Sequence, residues 1–137
     1  MSSRILLAGG LLILIFSCRQ KQVIWQQYMA QGESLYNKNC SNCHQKEGTG
    51  LGKLYPPLQG SDYLAGNLPT VLCMMKYGNT SQLTVNGVYY NMKMKGNPTL
   101  TDLELAEIAT YVYNRWGGRE EIVSTDSVTR VIDHCVR

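Results

Sequence analysis

The stretch Cys40-Ser41-Asn42-Cys43-His44 constrains this chain more than any other feature. Two thiols three positions apart, with an imidazole directly after the second, suit three kinds of chemistry: covalent haem attachment, structural zinc, or a reversible dithiol couple. Structural zinc needs four ligands, and the only other histidine, His134, lies beside Cys135 at the far end of the chain. A thioredoxin-type couple belongs at a strand-to-helix junction of a βαβ unit and does not call for the histidine; no βαβ pattern is present. Haem attachment asks for less. Two thioether bonds fix the porphyrin, and the adjacent histidine is placed to ligate iron from one face. Haem is therefore the leading reading, with zinc and a dithiol couple as the alternatives.

The N-terminus bears on this choice because the redox compartment governs cysteine chemistry. Arg4 precedes an apolar run from Ile5 to Phe16. About 20 apolar residues are needed to span a bilayer, so the run has the length of a signal-peptide core instead. Its end, Ile15-Phe16-Ser17-Cys18, resembles a bacterial lipobox, in which the cysteine is lipidated and becomes the first residue of the mature chain. Residues 1–17 are thus expected to be removed and Cys18 to carry the lipid; the alternative is an ordinary secretory signal with an incidental cysteine. Residues 18–22 form a short tether, which if extended at about 3.5 Å per residue reaches some 15–20 Å. The expected place is the periplasmic face of a bacterial membrane, inner or outer.

Of 137 residues, 13 are Lys or Arg and 10 are Asp or Glu; removing Arg4 leaves 12 against 10. Such a near balance, together with export, argues against a nucleic-acid partner. No repeat or long linker divides the chain, which has room for one small domain.

The segment Gly32-Glu33-Ser34-Leu35-Tyr36, the Cys40–His44 motif and the following "QKEGTGLGKLYPPLQGSDYL" together resemble a class I monohaem cytochrome c, in particular the small cytochromes c of bacterial respiratory chains. The resemblance runs from about Gln22 to Trp116. It implies a mainly α fold of three to five helices wrapped around one covalently bound haem c, with the domain at 23–117. In that fold a glycine and an aromatic one turn later, matched here by Gly32 and Tyr36, sit where the N-terminal helix crosses the C-terminal helix; the expected partner face is Ile108, Tyr111 and Val112. Asn86-Gly87, between two β-prone runs, signals a hairpin near 83–91.

The C-terminal helix is also signalled locally. Thr101 with Glu104 forms a capping box and Leu100 with Leu105 a hydrophobic staple. Leu105, Ile108, Ala109, Val112 and Trp116 recur at helical spacing, and Gly117-Gly118 offers a stop. Residues 118–137 follow as an extension expected to dock a short helix on the domain.

The sixth iron ligand is the harder assignment. Met29 lies in the helix before the motif, and Met74 and Met75 sit in "LPTVLCMMKYG", an expected short helix where methionine more often fills core. Met92 and Met94 remain, two apart and on one side of an extended segment. The resemblance implies Met94, from the loop before the C-terminal helix, with Met92, His134 or an open site as alternatives. It likewise implies that Pro56, twelve residues after His44, supplies the carbonyl that orients the imidazole; Pro57 is the neighbouring contender.

Cys73 and Cys135 are left over. In an oxidising compartment free thiols are uncommon, and Val128, Val131, Ile132 and Cys135 form a helical stripe able to dock on the Cys73 helix. A disulfide between them would constrain the unfolded chain by roughly 4 kcal/mol; two separate buried thiols are the alternative.

Charge is unevenly spread. Lys38, Lys46, Lys53, Lys76, Lys93 and Lys95 face only Glu47 and Asp62 in the same span, whereas seven acids follow Thr101. A basic edge would steer the protein to an acidic patch on a redox partner. The expected function is a lipid-anchored electron carrier with respiratory protein partners and no small-molecule substrate, not an enzyme. An open-site haem enzyme or gas sensor, or a fixed haem subunit of a larger respiratory complex, is the alternative.

Overall fold

The computed structural model describes residues 2–135, with side chains described from residue 19 onward. Five helices and one hairpin follow in the order α1 (Ser2–Asn39), α2 (Ser41–His44), α3 (Leu68–Tyr77), β1 (Leu83–Val85), β2 (Val88–Tyr90), α4 (Asp102–Arg115) and α5 (Thr125–Ile132). The fold is the mainly helical one of the cytochromes c, with its small antiparallel hairpin.

The crossing of α1 and α4 is the largest helix contact, and Gly32 makes it possible. A Cβ at that position would stand 2.1 Å from the Glu107 carbonyl oxygen and 2.7 Å from Tyr111 Cβ. One turn on, Tyr36 is fully buried, its ring 5.5 Å from that of Tyr111 and 5.2 Å from that of Trp116.

Helix α4 begins as its sequence dictates. The Thr101 hydroxyl accepts from Glu104 N–H at 3.2 Å, and Glu104 Oε2 accepts from Thr101 N–H at 2.8 Å. Leu100 and Leu105 are both buried. The spacing pattern found Leu105, Ile108, Ala109 and Val112, but Ala106, Thr110 and Tyr113 are buried as well. The second face is covered by the C-terminal extension: Val123 and Val128 are buried in the same core, and Val123 N–H donates to Thr110 Oγ1 at 3.0 Å. Burial pushes the Tyr113 phenol up to about 12, and among the described residues its hydroxyl is a buried polar group without a partner.

The hairpin pairs Leu83 with Tyr90, Thr84 with Tyr89 and Val85 with Val88. Its turn needs positive φ at both centres, and Asn86 (52°) and Gly87 (74°) supply it. Asn86 Oδ1 accepts from Asp62 N–H while Asp62 Oδ1 accepts from Asn86 N–H, fastening the tip to the preceding loop.

Residues 18–22, expected to form the tether, lie within α1. Helical rise is about 1.5 Å per residue, so the reach from residue 18 to Trp25, whose indole N–H donates to Asn114 at 3.3 Å, is about 10 Å. The helix continues because no Gly or Pro interrupts 19–31 and most residues there, Arg, Lys, Gln, Met and Ala, are good helix formers. The side chain of Cys18 and the expected signal segment 1–17 lie outside the described side chains. Among the described residues no helix is long and apolar enough to cross a membrane.

Candidate functional site

The site forms where α1 hands over to α2. Cys40 is the residue between them; its N–H donates to the Tyr36 carbonyl at 2.8 Å, and the N–H groups of Cys43 and His44 return to the Cys40 carbonyl at 3.1 and 3.0 Å. This tight turn sets two free thiols and an imidazole on one short helical segment. Burial first, then the neighbouring Cys43, pushes the Cys40 thiol up to about 12. Tyr36 reaches past the motif and donates to the Gln45 carbonyl at 2.6 Å, tying the α1–α4 crossing to the residue after His44.

The imidazole is oriented by the loop that follows. His44 Nδ1 lies 3.0 Å from the Pro56 carbonyl oxygen, so Nδ1–H is the donor and Nε2 is left for a metal, the arrangement usual for a ligating histidine. Of the two adjacent prolines, Pro56 is the one whose carbonyl makes this contact. Burial lowers the imidazole's proton affinity, opposed by the Pro56 hydrogen bond, and a neutral ring is the ligating form. The loop comes close because of Gly50, which has φ of 68° and whose absent Cβ would stand 2.8 Å from that same carbonyl oxygen. The Gly50 N–H donates to the His44 carbonyl at 3.0 Å.

Met94 is held in the segment between hairpin and α4. Its N–H and carbonyl both pair with Asn79 at 2.9 Å, and it is half-buried, whereas Met92 is about half exposed at 49%. Met74 and Met75 lie on α3. His134 has a local partner instead: its Nδ1 lies 2.7 Å from the Arg130 carbonyl oxygen in the C-terminal turn. Cys73 and Cys135 form a disulfide with Cα atoms 5.7 Å apart. Of the six lysines in the basic span, Lys76 has an internal use, donating to the Leu100 carbonyl.

The donor set suits covalent haem and not zinc. Two thiols and one oriented imidazole are what thioether attachment and one axial bond require, and among the described residues no cluster of three or more His, Cys, Asp or Glu could hold a metal ion. Fold and donor set together define a class I monohaem cytochrome c. Residues 27–112 match the family model described as cytochrome c oxidase, cbb3-type, subunit III, and the chain belongs to this cytochrome c family. Its cofactor is covalently bound haem c, and it is an electron-transfer haem protein.

Relatives agree at the level of class. Cytochrome c-552 of Thermus thermophilus is 31% identical over 97 residues, covering 68% of this chain and 73% of that protein. The cytochrome c subunit of a quinone alcohol dehydrogenase from Gluconobacter oxydans is 31% identical over 88 residues, 63% of this chain. The match spans only 18% of that subunit's length.

Proposed function

We propose that this protein is a membrane-anchored, periplasmic carrier that passes single electrons between respiratory partners. When bound, the haem supplies one-electron chemistry through its iron, ferrous to ferric and back. Cys40 and Cys43 would hold it by thioethers, His44 would ligate iron through Nε2, and the Pro56 carbonyl would keep the imidazole oriented. Met94 would supply the further ligand, a thioether that would exclude small molecules and raise the potential. No acid, base or nucleophile takes part, and there is no small-molecule substrate.

The observation that carries the reading is the 3.0 Å contact of His44 Nδ1 with the Pro56 carbonyl beside two free thiols. Export is supported by the Cys73–Cys135 disulfide, which belongs to an oxidising compartment. Anchoring is through lipid on Cys18. Lys38, Lys46, Lys53, Lys93 and Lys95 supply the basic edge that steers to an acidic patch on the partner; Lys76 is withdrawn from that role by its bond to Leu100. Fixed attachment within a larger complex is the second reading, favoured by the helical path of 18–22.

The test is an optical spectrum of the exported, haem-loaded protein, ferric and ferrous, with and without carbon monoxide. A c-type spectrum with the weak red methionine-to-iron band and no response to carbon monoxide is expected. A spectrum that lacks the band and shifts with carbon monoxide would move the assignment to an open-site enzyme or sensor.

A further inference from the structure

The segment that carries Met94 rests on the end of α3 at four points. Asn79, two residues past the helix, exchanges both backbone hydrogen bonds with Met94. Asn97 N–H donates to the Met75 carbonyl at 2.9 Å, and the Lys76 ammonium donates to the Leu100 carbonyl. Gly78 and Gly96 are pressed together: a Cβ on Gly96 would stand 2.3 Å from Gly78 N, and one on Gly78 would stand 2.6 Å from the Met94 carbonyl oxygen.

Helix α3 in turn depends on the C-terminal extension. It packs more extensively on α5 than on α4 and is joined to Cys135, three residues beyond α5, by the Cys73–Cys135 bond. The extension is fastened elsewhere to the body of the protein. Val123 N–H donates to Thr110, the Thr129 hydroxyl donates to Asp102 at 2.6 Å, and the hydroxyls of Tyr28 and Thr125 lie 3.3 Å apart. The family match ends at residue 112, so α5 and Cys135 lie beyond the shared segment.

We propose that the Cys73–Cys135 disulfide is a positioning element for the sixth iron ligand, acting through α3 on the Met94 segment; this rests on the reading of Met94 as that ligand. An eight-residue helix is marginal by itself and frays. The covalent bond suppresses that fraying and keeps α3 seated. Without it α3 opens locally at lower cost, the four contacts loosen together, and Met94 leaves the iron more often.

The experiment compares haem-loaded protein unaltered, with Cys73→Ala plus Cys135→Ala, with Gly96→Ala, and with Met94→Ala. Carbon monoxide affinity of the ferrous form and the red band of the ferric form are measured, with far-UV circular dichroism as the check on helix content. The bridge-free variant is expected to keep its helices, to weaken the red band and to bind carbon monoxide about 5- to 150-fold more tightly, the usual range for coupled sites. Gly96→Ala, which wedges the segment from α3 with the bridge intact, gives the same direction, and adding it to the bridge-free variant gives less than the sum. If the bridge-free variant does not load haem, the bridge is opened in loaded protein with a water-soluble phosphine and two new thiols are counted. A bridge-free protein with unaltered band and affinity overturns the proposal. Should Met94→Ala itself match the unaltered chain, the ligand assignment fails, and the proposal with it.

Discussion

The absent Cβ of Gly32 would stand 2.1 Å from the carbonyl oxygen of Glu107, closer than any side chain can approach. Helices α1 and α4 cross backbone to backbone there, and that crossing carries Tyr36 to the turn holding Cys40. Gly32→Ala is expected to force the helices apart and cost about 1–3 kcal/mol or more. Denaturant unfolding of the haem-loaded variant measures it, and an unchanged midpoint would contradict the crossing described.

The capping box makes α4 sensitive to acid. The backbone hydrogen bond from Thr101 N–H is the largest cause holding the Glu104 carboxyl below its ordinary value of 4.5. A depressed folded value gives stability that is present above the unfolded value and lost as pH falls through the folded one. Thermal unfolding from pH 7 down to pH 3 should therefore show a steeper loss below about pH 4.5 for the unaltered protein than for Glu104→Gln. Thr101→Ala removes the cap and is expected to cost about 1 kcal/mol at neutral pH.

Thr110 is fully buried and accepts from Val123 N–H at 3.0 Å while its own hydroxyl donates to the Ala106 carbonyl. Thr110→Val leaves a buried N–H unpaired, at a cost of about 1–3 kcal/mol. Hydrogen exchange at the Val123 amide should quicken; an exchange rate like that of the unaltered protein would mean the amide finds another acceptor.

Attachment and ligation separate cleanly. Cys40→Ser with Cys43→Ser should abolish haem that survives a denaturing gel. Met94→Ala should lower the potential and open the iron to carbon monoxide, whereas Met92→Ala, at an exposed residue, should leave both unchanged. Reversed behaviour of the two methionine variants would exchange their roles.

Partner steering is testable through salt. Lys93→Glu with Lys95→Glu should slow electron transfer with an acidic redox partner by about tenfold at low ionic strength, with the difference vanishing at high salt. A salt-independent difference would place the effect in the Met94 segment itself.

What the sequence determined by itself is local or set by short spacing. Cys40, Cys43 and His44 lie within five residues, so one turn places them together whatever the rest of the chain does. The Thr101–Glu104 box and the Asn86-Gly87 turn are likewise contacts between residues at most three apart. The Gly32 and Tyr36 crossing was readable through resemblance, because only a glycine permits that approach. What the tertiary structure alone decided involves packing between distant segments. The helical stripe on α4 marks one face, but α5 covers a second, which is why Thr110 and Tyr113 are buried without any apolar periodicity to announce them. Lys76 reads as a surface charge until the fold brings the Leu100 carbonyl to it. The path of residues 18–22 depended on helix propagation from the packed part of α1, which a count of linker residues does not contain. Cys73 and Cys135, 62 positions apart, meet only because α5 folds back on α3: spacing in sequence fixes contacts within a turn, and packing of buried faces fixes the rest.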